Sequence, residues 1–139
     1  MDLATAQKIL DAAMAYAVEK KFKPMAMGVI DARGALVAFA AQDGTSLKRG
    51  EIALGKANGA VALGMGSRAL MKRAETQAYF IDAATAAIGG SLIPVPGGVL
   101  IKSAGKLLGA IGISGDTSDN DEAAALAGIT AAGLDSDTG

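Results

Sequence analysis

The chain has 139 residues, of which 51% are hydrophobic, and a net charge of −1, which predicts one domain with an ordinary core and no basic surface for nucleic acid. It contains neither cysteine nor histidine, which excludes disulfides, thiolate- or histidine-ligated metal sites, cysteine nucleophiles and Ser-His-Asp triads within the chain. Because alanine and the 19 glycines bury little apolar area each, we expect self-association into a homo-oligomer.

The N-terminal sequence and the hydropathy of the chain indicate its cellular location. The N-terminal residues MDLATAQKIL lack the basic and apolar regions of a signal peptide. No uninterrupted apolar run is long enough to cross a bilayer. We therefore expect a soluble, cytoplasmic protein without a membrane partner.

The first third of the chain predicts a helix followed by a β-hairpin. Apolar residues recur with the helical period over residues 3–17, behind an N-cap at Asp2 or Thr5, and Pro24 ends the segment. The runs MAMGVID and ALVAFAAQ have strand length and flank a short turn that closes on Gly34.

A long glycine-rich helix comes next, at about residues 47–62, after a turn at Asp43-Gly44. Each glycine in a helix costs about 1 kcal/mol relative to alanine, so their number here needs a reason. We expect Gly55 and Gly59 to form a close-approach face against a strand, another helix or a subunit.

The second half predicts short helices, strands and a final helix. Ser67 can cap a helical piece, and residues 76–87 are helical again. SLIPVPGG predicts a short extended strand, VLIKS and KLLGAIGIS predict a hairpin, and residues 119–132 predict a helix. This order predicts an α+β fold with an antiparallel sheet in one domain, residues 1–133, followed by a flexible acidic tail at 134–139.

The loop before the last helix, GDTSDNDE, is polar and acidic. It lacks the lysine and the second glycine of a phosphate-binding loop, and its carboxylates repel phosphate. As a calcium loop it has Asp121 where glycine is needed and Ala127 where a bidentate glutamate is needed. We interpret it as a helix start with a Ser118-x-x-Asp121 capping box, which leaves Asp121 available at the rim of a ligand pocket.

Lys56 shares one face of the long helix with Ile52, Ala60 and Leu63. Two interpretations remain open. Its stem can lie along apolar surface while the ammonium group reaches water or a carboxylate. Alternatively, it is an anion-binding or chemically tuned lysine in a cleft, with Asp43 or Glu51 as its partner.

Several motifs in a fixed order resemble the GlcG/HbpS family, which includes the C-terminal domain of PduO proteins. The resemblance spans residues 3–132. The motifs that carry it are Asp43-Gly44, IALGKANGAV with Lys56, Ser67, Gly89-Gly90-SLIPV with Pro94, Gly97-Gly98, GAIGISG ending at Gly115, and Asp121-Glu122.

The resemblance implies a profilin- or PAS-like fold with a five-stranded antiparallel sheet, a homo-oligomer and, in several members, haem binding or degradation. This chain has no histidine to serve as the iron ligand found in PduO-type members. Haem iron would need a methionine, tyrosine or hydroxyl ligand instead. The candidates by residue type are Met25, Met27, Met65, Met71, Tyr16 and Tyr79.

We therefore predict an oligomeric protein that binds a small organic ligand and serves as an accessory protein in small-molecule catabolism. The predicted ligand-binding residues are Asp43, Lys56, Gly90, Pro94, Gly97, Gly98, Gly115 and Asp121. One alternative is an enzyme acting on a carboxylate or carbonyl substrate, with proton transfer by Lys56, Asp43, Glu51, Asp121, Tyr16 or Tyr79. The second alternative is a protein that binds or degrades haem without a histidine ligand.

Overall fold

The computed structural model describes residues 1–139 as five helices and five strands. Strands come as two hairpins separated by a run of three helices, as the α+β prediction requires. None of the helices is long and apolar enough to cross a membrane. In chain order the elements are α1 (Leu3–Glu19), β1 (Ala26–Asp31), β2 (Leu36–Ala41), α2 (Arg49–Leu63), α3 (Ser67–Thr76), α4 (Ala78–Ala87), β3 (Gly98–Ser103), β4 (Lys106–Ser114), α5 (Ser118–Ala131) and β5 (Asp135–Asp137).

The five strands form one sheet in the order β2-β1-β4-β3-β5, and every pair is antiparallel. This confirms the predicted antiparallel sheet, but two assignments differ. SLIPVPGG forms no strand, because its two prolines have no N–H to donate to a ladder. The fifth strand is instead Asp135–Asp137, in the segment predicted to be a flexible tail, where it pairs with β3 over Leu100–Lys102.

The sheet separates two apolar layers because its side chains alternate between the faces. On one face, α1 and α5 pack against each other and against residues such as Met27, Val99 and Ile111. On the other face, α2 covers β1, β4 and β3, with Ala57 and Ala60 against Ile30, Leu100 and Ala110. Alanines on the helices allow each layer to lie close to the strands.

A row of three glycines crosses the sheet beneath α2. Gly28 of β1, Gly112 of β4 and Gly98 of β3 lie side by side in the strand register. A Cβ at Gly112 would overlap the carbonyl oxygen of Ala53, and one at Gly98 would overlap that of Lys56. The backbone of α2 therefore rests directly on the backbone of the sheet.

Two glycines of α2 itself, Gly55 and Gly59, face away from this row. A Cβ at Gly55 would come 2.6 Å from Ile93 Cγ1, and one at Gly59 would come 2.9 Å from Leu92 Cγ. The predicted close-approach face therefore exists, and what it packs against is the segment after α4. Gly64 ends the helix in the left-handed conformation.

Of the three expected helix caps, the first is confirmed and the other two differ. Asp2 rather than Thr5 caps α1, and it accepts a hydrogen bond from the Thr5 N–H at 2.7 Å. Thr117 caps α5, so the predicted Ser118-x-x-Asp121 box is wrong. Ser67 is the first residue of α3 and provides no cap, because its hydroxyl bonds the backbone of Gly98 instead.

Candidate functional site

A buried ion pair joins α2 to α5. Lys56 Nζ lies 2.9 Å from Asp121 Oδ2, and both side chains are 2% exposed. The ammonium group also donates to the carbonyl oxygen of Ile113, at 2.8 Å. Asp121 Oδ1 accepts the backbone N–H of Asp116 at 3.0 Å. Both charged groups are thus hydrogen-bonded on more than one side, as buried ions require.

Glycine makes room for the lysine. A Cβ at Gly97 would lie 2.9 Å from Lys56 Nζ and 3.1 Å from Asp121 Cβ, and the residue has a positive φ of 122°. A side chain at this position would therefore be strained by its backbone conformation and would crowd the ion pair. The Gly97-Gly98 pair serves to bring β3 against Lys56 and Asp121.

Burial shifts the pKa of both partners toward neutrality. The loss of hydration lowers the pKa of the Lys56 ammonium group, and the attraction of Asp121 only partly opposes this. Burial likewise raises the pKa of the Asp121 carboxyl group against the attraction of Lys56. These are the directions expected for acid–base groups, but the pair is closed to solvent, and a substrate has no access to it.

Two arginines make further polar contacts beside this pair, and neither arginine was a predicted site residue. Arg68 of α3 donates from Nε to both carboxylate oxygens of Glu122 at 3.1 Å, and it also contacts Asp119. Arg49 donates to the hydroxyl group of buried Ser114 at 3.2 Å. The arginines tie the ends of α3 and α2 to the neighbourhood of Asp121. Their partners lie 54 and 65 residues away in sequence, so no local pattern reveals them.

The largest depression lies on the outer side of α2 and has a volume of about 560 Å³. We call it the α2 groove. The helix forms one wall, and the segment after α4 forms the other. Aliphatic side chains alternate with polar ones along it, and the residues are Lys48, Glu51, Ile52, Leu54, Gly55, Asn58, Gly89, Gly90, Ser91, Leu92 and Ile93.

Backbone conformation opens the wall opposite the helix. Gly89 and Gly90 have positive φ values of 96° and 99°, and a Cβ on either would meet nothing within 4 Å. The chain turns there from α4 into the extended segment, and the N–H of Ile93 bonds the carbonyl oxygen of Gly55 at 3.1 Å. The two walls are thereby held at a fixed separation.

The predicted site residues divide between these two places. Lys56, Gly97 and Asp121 are together at the ion pair, with Gly98 beside Lys56. Gly90 lines the α2 groove, and so does Glu51, which pairs with Lys48 at 2.9 Å.

Three predicted residues lie outside both places, and the first is Gly115, which packs against Pro24 and Met25 just before β1. Asp43 is exposed in its turn and makes no hydrogen bond or ion pair, so Lys56 pairs with Asp121 rather than with Asp43 or Glu51. Pro94 follows the groove wall and does not line the groove. Ligand contact by the residues of either place stays a prediction.

The candidate iron ligands are scattered, and none of them lines the α2 groove. Met25 and Met27 are fully buried. Tyr16 packs edge-on against Phe22, and Tyr79 is 71% exposed on α4. The remaining two are Met65, which packs beside α3 and α4, and Met71, which lies on α3. The chain contains no group of three or more acidic side chains that could hold a metal ion.

Solved structures with the same architecture cover nearly the whole chain. The Klebsiella pneumoniae protein ORFY has a TM-score of 0.86 at 22% identity, over 96% of this chain and 90% of its own. The PduOC:heme complex has a TM-score of 0.86 at 23% identity, over 97% and 96%. A double mutant of Streptomyces reticuli HbpS has a TM-score of 0.79 at 25% identity, over 94% and 85%.

Sequence comparison assigns the chain to the family that its motifs resemble. No curated protein matches the chain. The family model described as "Haem degrading protein HbpS-like" matches residues 1–130. Because that match spans all elements from α1 to nearly the end of α5, the chain belongs to the HbpS-like family.

Proposed function

We propose that this protein binds a small organic molecule in the α2 groove, as an oligomeric accessory protein rather than as an enzyme. The observation that carries the proposal is the groove itself. Its volume of about 560 Å³ is within the range of about 300–1,000 Å³ typical of small-molecule sites. Aliphatic side chains offer apolar surface there, while Asn58 and Ser91 offer a small number of hydrogen-bonding groups.

The buried ion pair fixes the position of α2, the helix that forms one wall of the groove. Lys56 lies on α2, the helix that forms one groove wall, and it anchors that helix to β4 through Ile113 and to α5 through Asp121. A wall held at several points changes little when a ligand enters, which lowers the entropic cost of binding. We therefore propose a positioning role for Lys56 and Asp121.

Haem is the second candidate, and a comparison favours it: the PduOC complex of the same fold contains heme. The residues of the α2 groove do not fit this group. None of them is a histidine, cysteine, methionine or tyrosine, which are the usual axial ligands of haem iron. Haem binding would therefore proceed here without an iron ligand from the groove.

The test is an NMR titration of the ¹⁵N-labelled protein with a set of small organic acids, alcohols and amides. We expect at least one class to shift the amide signals of residues 52–58 and 89–93 together. Ile52→Trp fills the groove and should abolish these shifts. Lys72→Trp is the matched control, because Lys72 is exposed on α3 and lines no depression. Shifts confined to other residues would overturn the groove as the site.

Two further measurements test whether haem binds and how many subunits the protein has. The first is a stoichiometric haemin titration. If the Soret band shifts in the wild type but not in Ile52→Trp, haem is the ligand of the groove and the proposal of another small organic ligand is wrong. Native mass spectrometry of protein purified from its own host gives the subunit count and the mass of any retained ligand. A monomer without added mass would contradict the proposed oligomer.

A further inference from the structure

A second depression continues the α2 groove toward the β1–β2 turn. It has a volume of about 310 Å³, and we call it the Arg33 depression. Asn58 and Ser91 line both depressions, and the Asn58 amide donates to the Ser91 hydroxyl oxygen at 2.9 Å. The two depressions are therefore one continuous surface with a hydrogen-bonded pair at the junction.

The chemistry of the Arg33 depression differs from that of the α2 groove. Arg33 is the one charged residue that lines it, and no carboxylate residue does. The Ser91 N–H makes no hydrogen bond within the chain. Its hydroxyl oxygen accepts from Asn58, which leaves the hydroxyl proton free to donate. The depression therefore offers two unpaired donors on Ser91 together with the positive charge of Arg33.

The guanidinium group is held in place on one side only. Asp31 accepts from Arg33 Nε at 3.2 Å and from Nη2 at 3.0 Å. The same carboxylate accepts the backbone N–H groups of Arg33 and Ala35, at 2.8 and 3.0 Å. Asp31 is thus occupied by four donors, while Nη1 of Arg33 has no partner and the side chain is 84% exposed.

We infer that the ligand carries an anionic carboxylate group at one end, which binds between Arg33 and Ser91, and an apolar body that lies in the α2 groove. This inference rests on the proposed function. Arginine suits the role because its planar N–H groups match the geometry of a carboxylate, and charge-assisted hydrogen bonds are stronger than neutral ones. The aliphatic side chains of Ile52 and Ile93 then contact the remainder of the molecule.

A pair of probes that differ only at one end tests the inference: hexanoate and 1-hexanol, each titrated into the ¹⁵N-labelled protein at pH 7. We expect both to shift the signals of residues 52–58, and only hexanoate to shift the amide of Ser91 strongly. Hexanoate should bind about tenfold more tightly, since a hydrogen bond to a charged group contributes about 1.5 kcal/mol or more.

Arg33→Gln removes the charge from an exposed side chain, so the fold should be unaffected. It should reduce the affinity for hexanoate to that for 1-hexanol and leave the alcohol unchanged. Lys72→Gln removes one positive charge elsewhere and should preserve the tenfold difference. Equal binding of both probes by the wild type would overturn the carboxylate inference while the groove proposal stands. If neither probe shifts residues 52–58, both the carboxylate inference and the placement of its apolar body in the groove fail.

Discussion

At the scale of single residues, Lys56 is exceptional because a charged side chain is fully buried. It is the largest fully buried side chain, and it is charged. Its partners come from β4 and α5, so one ammonium group connects three elements. The energetic consequence is asymmetric. Removal of one partner leaves an isolated buried charge, whereas removal of both leaves none.

The first prediction concerns this asymmetry. Lys56→Met should lower the free energy of unfolding by about 3–5 kcal/mol, because Asp121 is left buried without its counter-ion. Lys56→Met combined with Asp121→Asn should recover more than half of the loss, since asparagine keeps an acceptor for the Asp116 N–H. Urea unfolding followed by circular dichroism measures both. A double variant as unstable as the single one would show that packing, not charge, sets the cost.

The pH dependence of Lys56→Met follows from the same contact. The attraction of Lys56 opposes the effect of burial on the pKa of Asp121, so its removal raises that pKa further above the unfolded value of 3.8. Between these two values the folded state binds more protons than the unfolded state, and stability rises as the pH falls. We expect the urea midpoint of Lys56→Met to increase from pH 7 toward pH 4. The double variant, which has no carboxyl group at position 121, should lack this increase.

Some of these residues are predictable from the sequence and others are not, and the difference has a physical reason. The helical period places Lys56 among apolar neighbours, and the family motifs include Asp121. Their contact depends on how α2 and α5 lie on opposite sides of β4, which the chain order does not specify. Ser67 was predicted as a cap because its position suits one, yet it bonds Gly98, 31 residues away. Long-range partners of short polar side chains leave no periodic signal.

At the scale of elements, the contact between α2 and the sheet depends on glycine in the strands. The three strand glycines differ in what surrounds them. At Gly112 an added Cβ would meet the rigid backbone of Ala53, whereas at Gly28 it would meet the end of the Leu54 side chain at 2.7 Å. A flexible side chain can move aside, and a helix backbone cannot without displacement of the helix.

The prediction at this scale compares those two positions. Gly112→Ala should lower the free energy of unfolding by about 3 kcal/mol or more, because overpacking against backbone forces α2 away from β4. Gly28→Ala, its neighbour in the register, should cost less than about 1.5 kcal/mol, since Leu54 can change rotamer. Thermal and urea unfolding give both values. Similar costs for the two variants would mean that α2 moves as easily as a side chain.

SLIPVPGG was wrongly predicted as a strand, but the order of most other elements was predictable from hydrophobic period and turn residues, and α1, the hairpin and the last helix are close to their predicted bounds. The fifth strand was not. DSD is short and acidic, with neither the β-branched residues nor the alternation that predict a strand. It pairs because β3 offers a free edge, and Lys102 of β3 bonds Asp137. The α2 groove was also beyond prediction, because its wall is an irregular segment after α4.

At the scale of the whole molecule, the helices differ in how extensively they pack against the rest of the chain. The two faces of the sheet are covered by α1, α5 and α2, whereas α4 packs chiefly on α3. Its exposed side chains include Tyr79, at 71%. A helix with so few partners within its own chain contributes little to global stability and opens locally at low cost.

We therefore expect hydrogen exchange to distinguish these regions. In dilute protein, the amides of α4 should exchange much faster than those of α2 and β4, because α4 can open without disturbing the sheet. Exchange measured by mass spectrometry on peptides covering residues 78–87 and 106–114 tests this. Protection of α4 that rises with protein concentration would show that a second copy covers it. Protection equal to that of β4 at every concentration would contradict the expected local opening.

The glycine row beneath α2 also affects how the α2 groove can change through substitution. Because backbone atoms on both sides set the distance between helix and sheet, no side chain on the outer side of α2 determines it. Substitutions at groove positions such as Ile52 and Asn58 can therefore change the size and polarity of the α2 groove while the helix stays in place. The selectivity of the proposed binding would then reside in α2 and the segment after α4, whereas the glycine row fixes only the backbone arrangement.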